Sequence, residues 1–197
     1  MRKVIFIVLS VIALRAFPQN GKAVFNDTIL HTLYIETDLV HWFDTLQQDF
    51  QNNFTNPDQY PEIYRKCKVT WDGTVLNDCG FREKGNASNT LTQFGRKKPF
   101  KISFDEFANQ QLDGLKKINL NNFINDPSLM HDVTCLKLFR DAGLTASRTS
   151  YTKLWINGAV SYTHLIGEDK DRVIERATIC KAGALCKDFE YLQDYAK

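Results

Sequence analysis

The sequence has no long apolar run. The longest, Val4 to Leu14, covers eleven residues, about half of the roughly twenty that a membrane-spanning helix needs. Strong net charge is also missing: the formal value is +2, and removing a leader that contains Arg2, Lys3 and Arg15 takes Lys+Arg from 25 to 22 against 23 acids. Such a balance excludes a global basic field of the kind that nucleic-acid binding uses, so no nucleic-acid partner is expected. There is no internal repeat and no low-complexity tract. The four histidines, His31, His41, His131 and His164, are dispersed, with neither an HExxH pair nor a Cys/His set, and each reads as a surface or hydrogen-bonded residue. Neither the Walker phosphate loop nor GxGxxG occurs. Cysteine is odd in number, at five, so in an exported chain at least one lacks an intramolecular partner.

The chain does contain a charged start, Met1-Arg-Lys, ahead of the short apolar run. That order is the signature of a secretory signal peptide over residues 1–16. Leu14-Arg15-Ala16 is a poor small-x-small cleavage site, so an uncleaved N-terminal anchor is the alternative, and membrane contact is expected only in that case. With 43% hydrophobic residues in 197 the remainder can bury a core, and residues 24–197 are expected to form one domain.

Alternation of apolar and polar residues places a strand within Ala23–Glu36. Asp38 looks like an N-cap, and Leu39, Trp42, Phe43, Leu46 and Phe50 recur at helical spacing over about 39–51. Asp72-Gly73 marks a two-residue hairpin turn within about 65–83. In that register Cys67 faces Asp78, so Cys67 and Cys79 fall on opposite faces, and a disulfide between them would require a bulge or a longer loop. The spacing of Cys180 and Cys186 matches no zinc or redox motif, and buried or free thiols are favoured over bridges. A strand follows at about 98–104 with Phe100, Ile102 and Phe104 on one face, then a turn into a short strand within Leu112–Leu120. Asp126 and Pro127 read as N-cap and N1 of a helix with the stripe Leu129, Val133, Leu136, Phe139 and Ala142, ended by Gly143. Ser150–Ile156, the Asn157-Gly158 turn and Tyr162–Ile166 form a second hairpin. The expected fold class is α+β: a kinase-like lobe of mostly antiparallel strands with one long helix packed on them.

Between Phe81 and Phe104 a polar glycine-bearing loop precedes a basic strand. Freed backbone N–H groups around Gly85, Ala87 and Ser88 can cradle an anion, and Arg82, Lys84, Lys97, Lys98 and Lys101 supply charge. Alone, Gly85-Asn-Ala-Ser88 reads as a polar hairpin turn. In series, a glycine loop, a lysine-bearing strand, an acid-bearing helix and a strand pair ending in acids are the components of a kinase nucleotide lobe. Lys98, or failing it Lys101, would neutralise phosphates. Asp132 would hold that lysine, or would serve as a helix-dipole partner.

The blocks Arg82-x-Lys-Gly-Asn-x-Ser88, Lys97-Lys-Pro-Phe-Lys-Ile-Ser-Phe104, Gly114-Leu-Lys-Lys-Ile-Asn-Leu120, Asp126-Pro-Ser-Leu-Met130, Arg140-Asp-Ala-Gly143 and Trp155-Ile-Asn-Gly158 together resemble the CotH family, the spore-coat-protein-H-type atypical kinases, over about residues 25–190. The resemblance implies a divergent kinase-like fold and ATP-dependent phosphorylation of secreted or surface proteins, with Mg2+ as the usual metal. It assigns Arg82, Lys84, Gly85, Asn86 and Ser88 to the nucleotide loop, Lys98 to the strand lysine, and Glu168 with Asp169 to the acidic stretch after the second hairpin. The family's C-lobe, which carries the catalytic and metal-binding acids, does not occur before Lys197. The expectation is therefore a kinase homologue that is truncated and inactive as it stands. Non-catalytic alternatives are a surface or coat binding module and, from the basic segment at 82–101, a patch for an anionic cell-wall polymer.

Overall fold

The computed structural model describes residues 20–92, 97–124 and 126–169. The expected signal segment, Lys170-Asp171 and Cys180 and Cys186 lie outside these residues. In chain order the elements are β1 (Leu30–Glu36), α1 (Trp42–Thr55), β2 (Arg65–Trp71), β3 (Thr74–Glu83), α2 (Asn86–Thr90), β4 (Phe100–Ser103), β5 (Lys117–Asn121), α3 (His131–Asp141), β6 (Thr149–Ile156) and β7 (Ala159–Glu168).

The seven strands close into one barrel in the order β1-β2-β3-β4-β5-β7-β6. Neighbours are antiparallel except at the seam, where β1 and β6 run parallel from Leu30↔Tyr151 to Ile35↔Ile156. Alternate strand residues point inward: Leu33 and Ile35, Val69 and Trp71, Phe81, Phe100 and Ile102, Ile118 and Leu120, Leu154 and Ile156, and Ile166 are all buried. Their period of two makes the core, as alternation demands.

This closed barrel overturns the expected kinase-like lobe with one long packed helix. The individual strands fall close to where the sequence places them, but they close on one another into a ring whose interior they largely fill, and α3 lies outside that core. Accordingly α3 has eleven residues and none is buried, and its Leu138 and Phe139 are 63% and 48% exposed. Asp126 is not its N-cap, a place taken by Met130. The Asp126 carboxylate instead accepts hydrogen bonds from Ser128 N, Ser128 Oγ and His131 N, stabilising the turn that precedes the helix. Gly143, at φ 82°, does end the helix, with Gly143 N donating to Arg140 O at 3.0 Å and Leu144 N to Phe139 O at 2.9 Å. Helix α1 starts at Trp42 after His41, not after Asp38, and it contributes Leu46 to the core.

The Asp72-Gly73 turn forms as expected, with φ 44° and 87°, a conformation Asp and Gly tolerate. Asp72 also ties the hairpin to β1, accepting from Thr32 N at 2.7 Å and from His31 Nδ1 at 2.6 Å. The β2–β3 ladder is less regular than the sequence suggests. Cys67 pairs with Cys79 and Val69 with Leu76, so one residue of β2 opposes two of β3, and the bulge residue Asp78 takes a left-handed φ of 56°.

Candidate functional site

Inward and outward residues separate the basic cluster into two populations. On the outer wall a cross-strand row joins Arg82 of β3, Lys101 of β4, Asn119 of β5 and Gly167 of β7. Lys84 follows Arg82 by two residues and so keeps its face, and its N–H donates to Pro99 O at 3.1 Å. Asp169, just beyond β7, closes the group: its Oδ1 lies 2.8 Å from Lys101 Nζ and accepts from Asn119 Nδ2 at 3.3 Å.

Lys84 is the electrostatically exceptional member. It is partly buried, and among the described residues no carboxylate comes within 4.0 Å of its ammonium. Burial, reinforced by the neighbouring charges of Lys101 and Arg82, lowers its pKa to about 8. Asp169 and Asp132 act in the opposite sense without cancelling that shift. Asp132 lies, exposed, on the first turn of α3, and of the lysines it is Lys84 whose pKa its charge affects.

Arg82 shares the wall yet is already engaged. Its Nη2 donates to Glu62 Oε2 at 2.6 Å and its Nη1 to Glu83 O at 2.9 Å, and its guanidinium sits 5.2 Å from the centre of the Tyr64 ring. Gly85 has φ 78°, and a Cβ there would come within 2.5 Å of Ser88 Oγ, so the turn from Lys84 into α2 demands glycine. Asn86 opens α2 and Ser88 lies within it. The Ser88 carbonyl accepts from Thr92 Oγ1 at 3.0 Å.

Lys98 faces the other way and is 1% exposed. Its Nζ donates to Asn89 Oδ1 at 3.1 Å and Asn89 O at 3.4 Å, while Asn89 Nδ2 donates to Glu83 Oε2 at 2.7 Å. Burial raises the Glu83 pKa, and the Asn89 hydrogen bond and the Lys98 charge offset only part of that rise. This Lys98–Asn89–Glu83 chain fastens α2 to the barrel interior, and Lys98 lies on the opposite face from the Lys84 wall. Glu168 is buried and likewise engaged, with Arg148 Nη2 2.9 Å from its Oε1. Its neighbour Asp169 is the acid that reaches the lysines.

Asn89, Asn119 and Glu83 escape sequence reasoning, because an amide bridging two buried charges has no linear signature. Strand parity did contain the signal for the lysines: with Phe100 and Ile102 inward, Lys98 must share their face and Lys101 must oppose it. Elsewhere, a groove of about 850 Å³ runs along β2, lined by residues including Tyr64, Lys66, Asp78 and Phe107. Four of its charges pair with one another, Lys66 with Asp78 and Lys68 with Glu36. Among the described residues no three His, Cys, Asp or Glu side chains gather as a metal site.

No curated protein matches the chain. A family model described as CotH kinase protein matches residues 81–182, just over half of the sequence. The match begins at the strand residues that form the Lys84 wall and includes Lys101, Asn119 and Asp169. The chain belongs to the CotH kinase protein family.

Proposed function

We propose that this is an exported CotH-type kinase homologue whose barrel wall binds the phosphates of ATP, with Lys84 as the principal contact and Lys101 beside it. The observation that carries this reading is the Lys84 ammonium, partly buried beside Lys101 and Arg82 with no carboxylate within 4.0 Å among the described residues. Holding a cation there is costly, and a phosphate oxygen offsets the cost by supplying the missing opposite charge. The Gly85 turn fixes where the Lys84 backbone leaves the barrel, and the Lys98–Asn89–Glu83 chain holds α2 behind it. Bound ATP would supply the phosphoryl group for transfer to a secreted or surface protein.

Among the described residues no three His, Cys, Asp or Glu side chains gather as an all-protein metal site, whereas a Mg2+ bound with phosphates would need only one or two carboxylates. Phosphoryl transfer needs metal to bridge the phosphates and an acid to orient the acceptor. No step is assigned to this wall beyond binding.

Calorimetric titration with ATP tests the proposal. Binding that falls at least tenfold in Lys84→Ala supports it, whereas absence of binding at millimolar ATP points to a non-catalytic surface module. Retained affinity in Lys84→Ala, with loss in a folded Lys98→Met variant, would reverse the assignment of the two lysines.

A further inference from the structure

The β2–β3 bulge brings two thiols opposite each other. Without it, Cys67 faces Asp78 and the cysteines lie on different faces of the ribbon. With the extra residue at Asp78, Cys67 and Cys79 become register partners, and both are buried in the barrel core at 4% and 0% exposure. Directly opposed residues on antiparallel strands have Cα separations of about 4.5–5.5 Å, within the roughly 4.4–6.8 Å that a disulfide spans. Both are free thiols in this structure. The Cys79 Sγ is turned toward the bulge, 3.6 Å from Leu76 O, a weak contact that rotation about χ1 exchanges for Cys67.

We propose that Cys67 and Cys79 form a cross-strand disulfide that locks the β2–β3 bulge. The chemistry is thiol–disulfide exchange with a disulfide oxidant. One cysteine thiolate attacks the oxidant's S–S bond, forming a mixed disulfide and releasing one thiolate. The second cysteine attacks the mixed disulfide at the first cysteine's sulfur, forming the protein S–S bond and releasing the other thiolate. Two cysteine protons and two electrons leave the protein, and the oxidant becomes two thiols.

Burial also sets the order of events. It pushes the Cys79 pKa up to about 11, aided by Asp78, and raises Cys67 further, with Cys79 as a second cause. Few thiolates exist at neutral pH in the closed barrel, and no oxidant reaches them. The bond therefore forms while β2 and β3 are still open, before closure at the β1–β6 seam, and is shielded from reductants afterwards.

The test uses the full chain refolded from denaturant with reduced and oxidised glutathione. Free thiols are blocked by alkylation under denaturing conditions, and the product is digested without reduction. A peptide joining Cys67 to Cys79, lighter by two hydrogens than its separated parts and absent from Cys79→Ala, is expected. Linking residues 67 and 79 closes a loop of thirteen residues, so reduction should shift the unfolding equilibrium constant by about a hundredfold. Alkylation of both cysteines in the wild-type chain, or a dominant bridge from either one to Cys135, would overturn the proposal. Because the decisive readout is made on the wild-type chain, a folding defect in the variant does not blunt it.

Discussion

Nucleotide binding at Lys84 should be visible as proton uptake. The lysine falls from an ordinary pKa of 10.5 to about 8 in the folded chain, because its charged form is removed from water. Between those two values the unfolded chain binds more protons than the folded one, so stability rises with pH across that window. Below pH 8 the charged ammonium costs the fold up to about 3 kcal/mol, from roughly 2.5 pH units at 1.36 kcal/mol each. A phosphate beside Lys84 offsets that cost and moves the pKa back toward its ordinary value. At pH 9 the free protein is then about 90% deprotonated at Lys84 and the complex is protonated, so binding takes up about 0.9 proton; at pH 8 the figure is about 0.5. Both conditions lie above the second phosphate pKa of about 6, so ATP itself adds little. Calorimetry in two buffers of different ionisation enthalpy reads the uptake directly. Binding without proton uptake at pH 9, or equal uptake in Lys84→Ala, would refute the assignment of a depressed Lys84 to the phosphate.

The two lysines should also separate in chemical denaturation. Lys98→Ala leaves Glu83 buried beside an unsupported Asn89 and should lose about 3 kcal/mol, the low end for breaking a buried pair, because the raised Glu83 pKa lets that group take up a proton. Lys84→Ala should match or exceed the wild type. Gly85→Ala places a Cβ at φ 78° against Ser88 Oγ and should cost about 1–2 kcal/mol while weakening ATP binding. For Asp72, burial pushes the carboxyl pKa up, but the hydrogen bonds from His31 and Thr32 outweigh it and hold it below the ordinary 3.8. That contribution is present above 3.8 and is lost as pH falls through the lower folded value. Asp72→Asn should therefore be less stable at neutral pH and show a shallower acid limb in pH-dependent unfolding.

Much of the local structure was legible because short-range rules govern it. The Asp72-Gly73 and Asn157-Gly158 turns need left-handed backbone, and their residues announce it. Phe100 and Ile102 gave the face of β4. The same parity places Lys98 inward and Lys101 outward, although the order of the elements pointed to either as the phosphate lysine. Closure was not legible. β1 and β6 meet across about 120 residues of sequence, and nothing local distinguishes a strand that pairs in parallel at a seam from one that ends a sheet. The bulge was equally hidden, since Asn77-Asp78 tolerates a left-handed residue without requiring one. Asp132 lies on α3, and which lysine its charge reaches depends on how the helix lies against the barrel wall.

The β6–β7 hairpin has a consequence for the order of assembly. It pairs with β1 on one side and β5 on the other, which makes it the keystone of the ring. Until residues 149–168 have joined, β1 and β5 present unpaired backbone that invites association with other chains. The pairing that ends this exposure is also among the most distant in sequence and so is slow to form. A nascent chain must keep those two edges apart from their neighbours until its last barrel strand emerges, and substitutions in β6 or β7 should act first on soluble yield and only then on the stability of whatever folds.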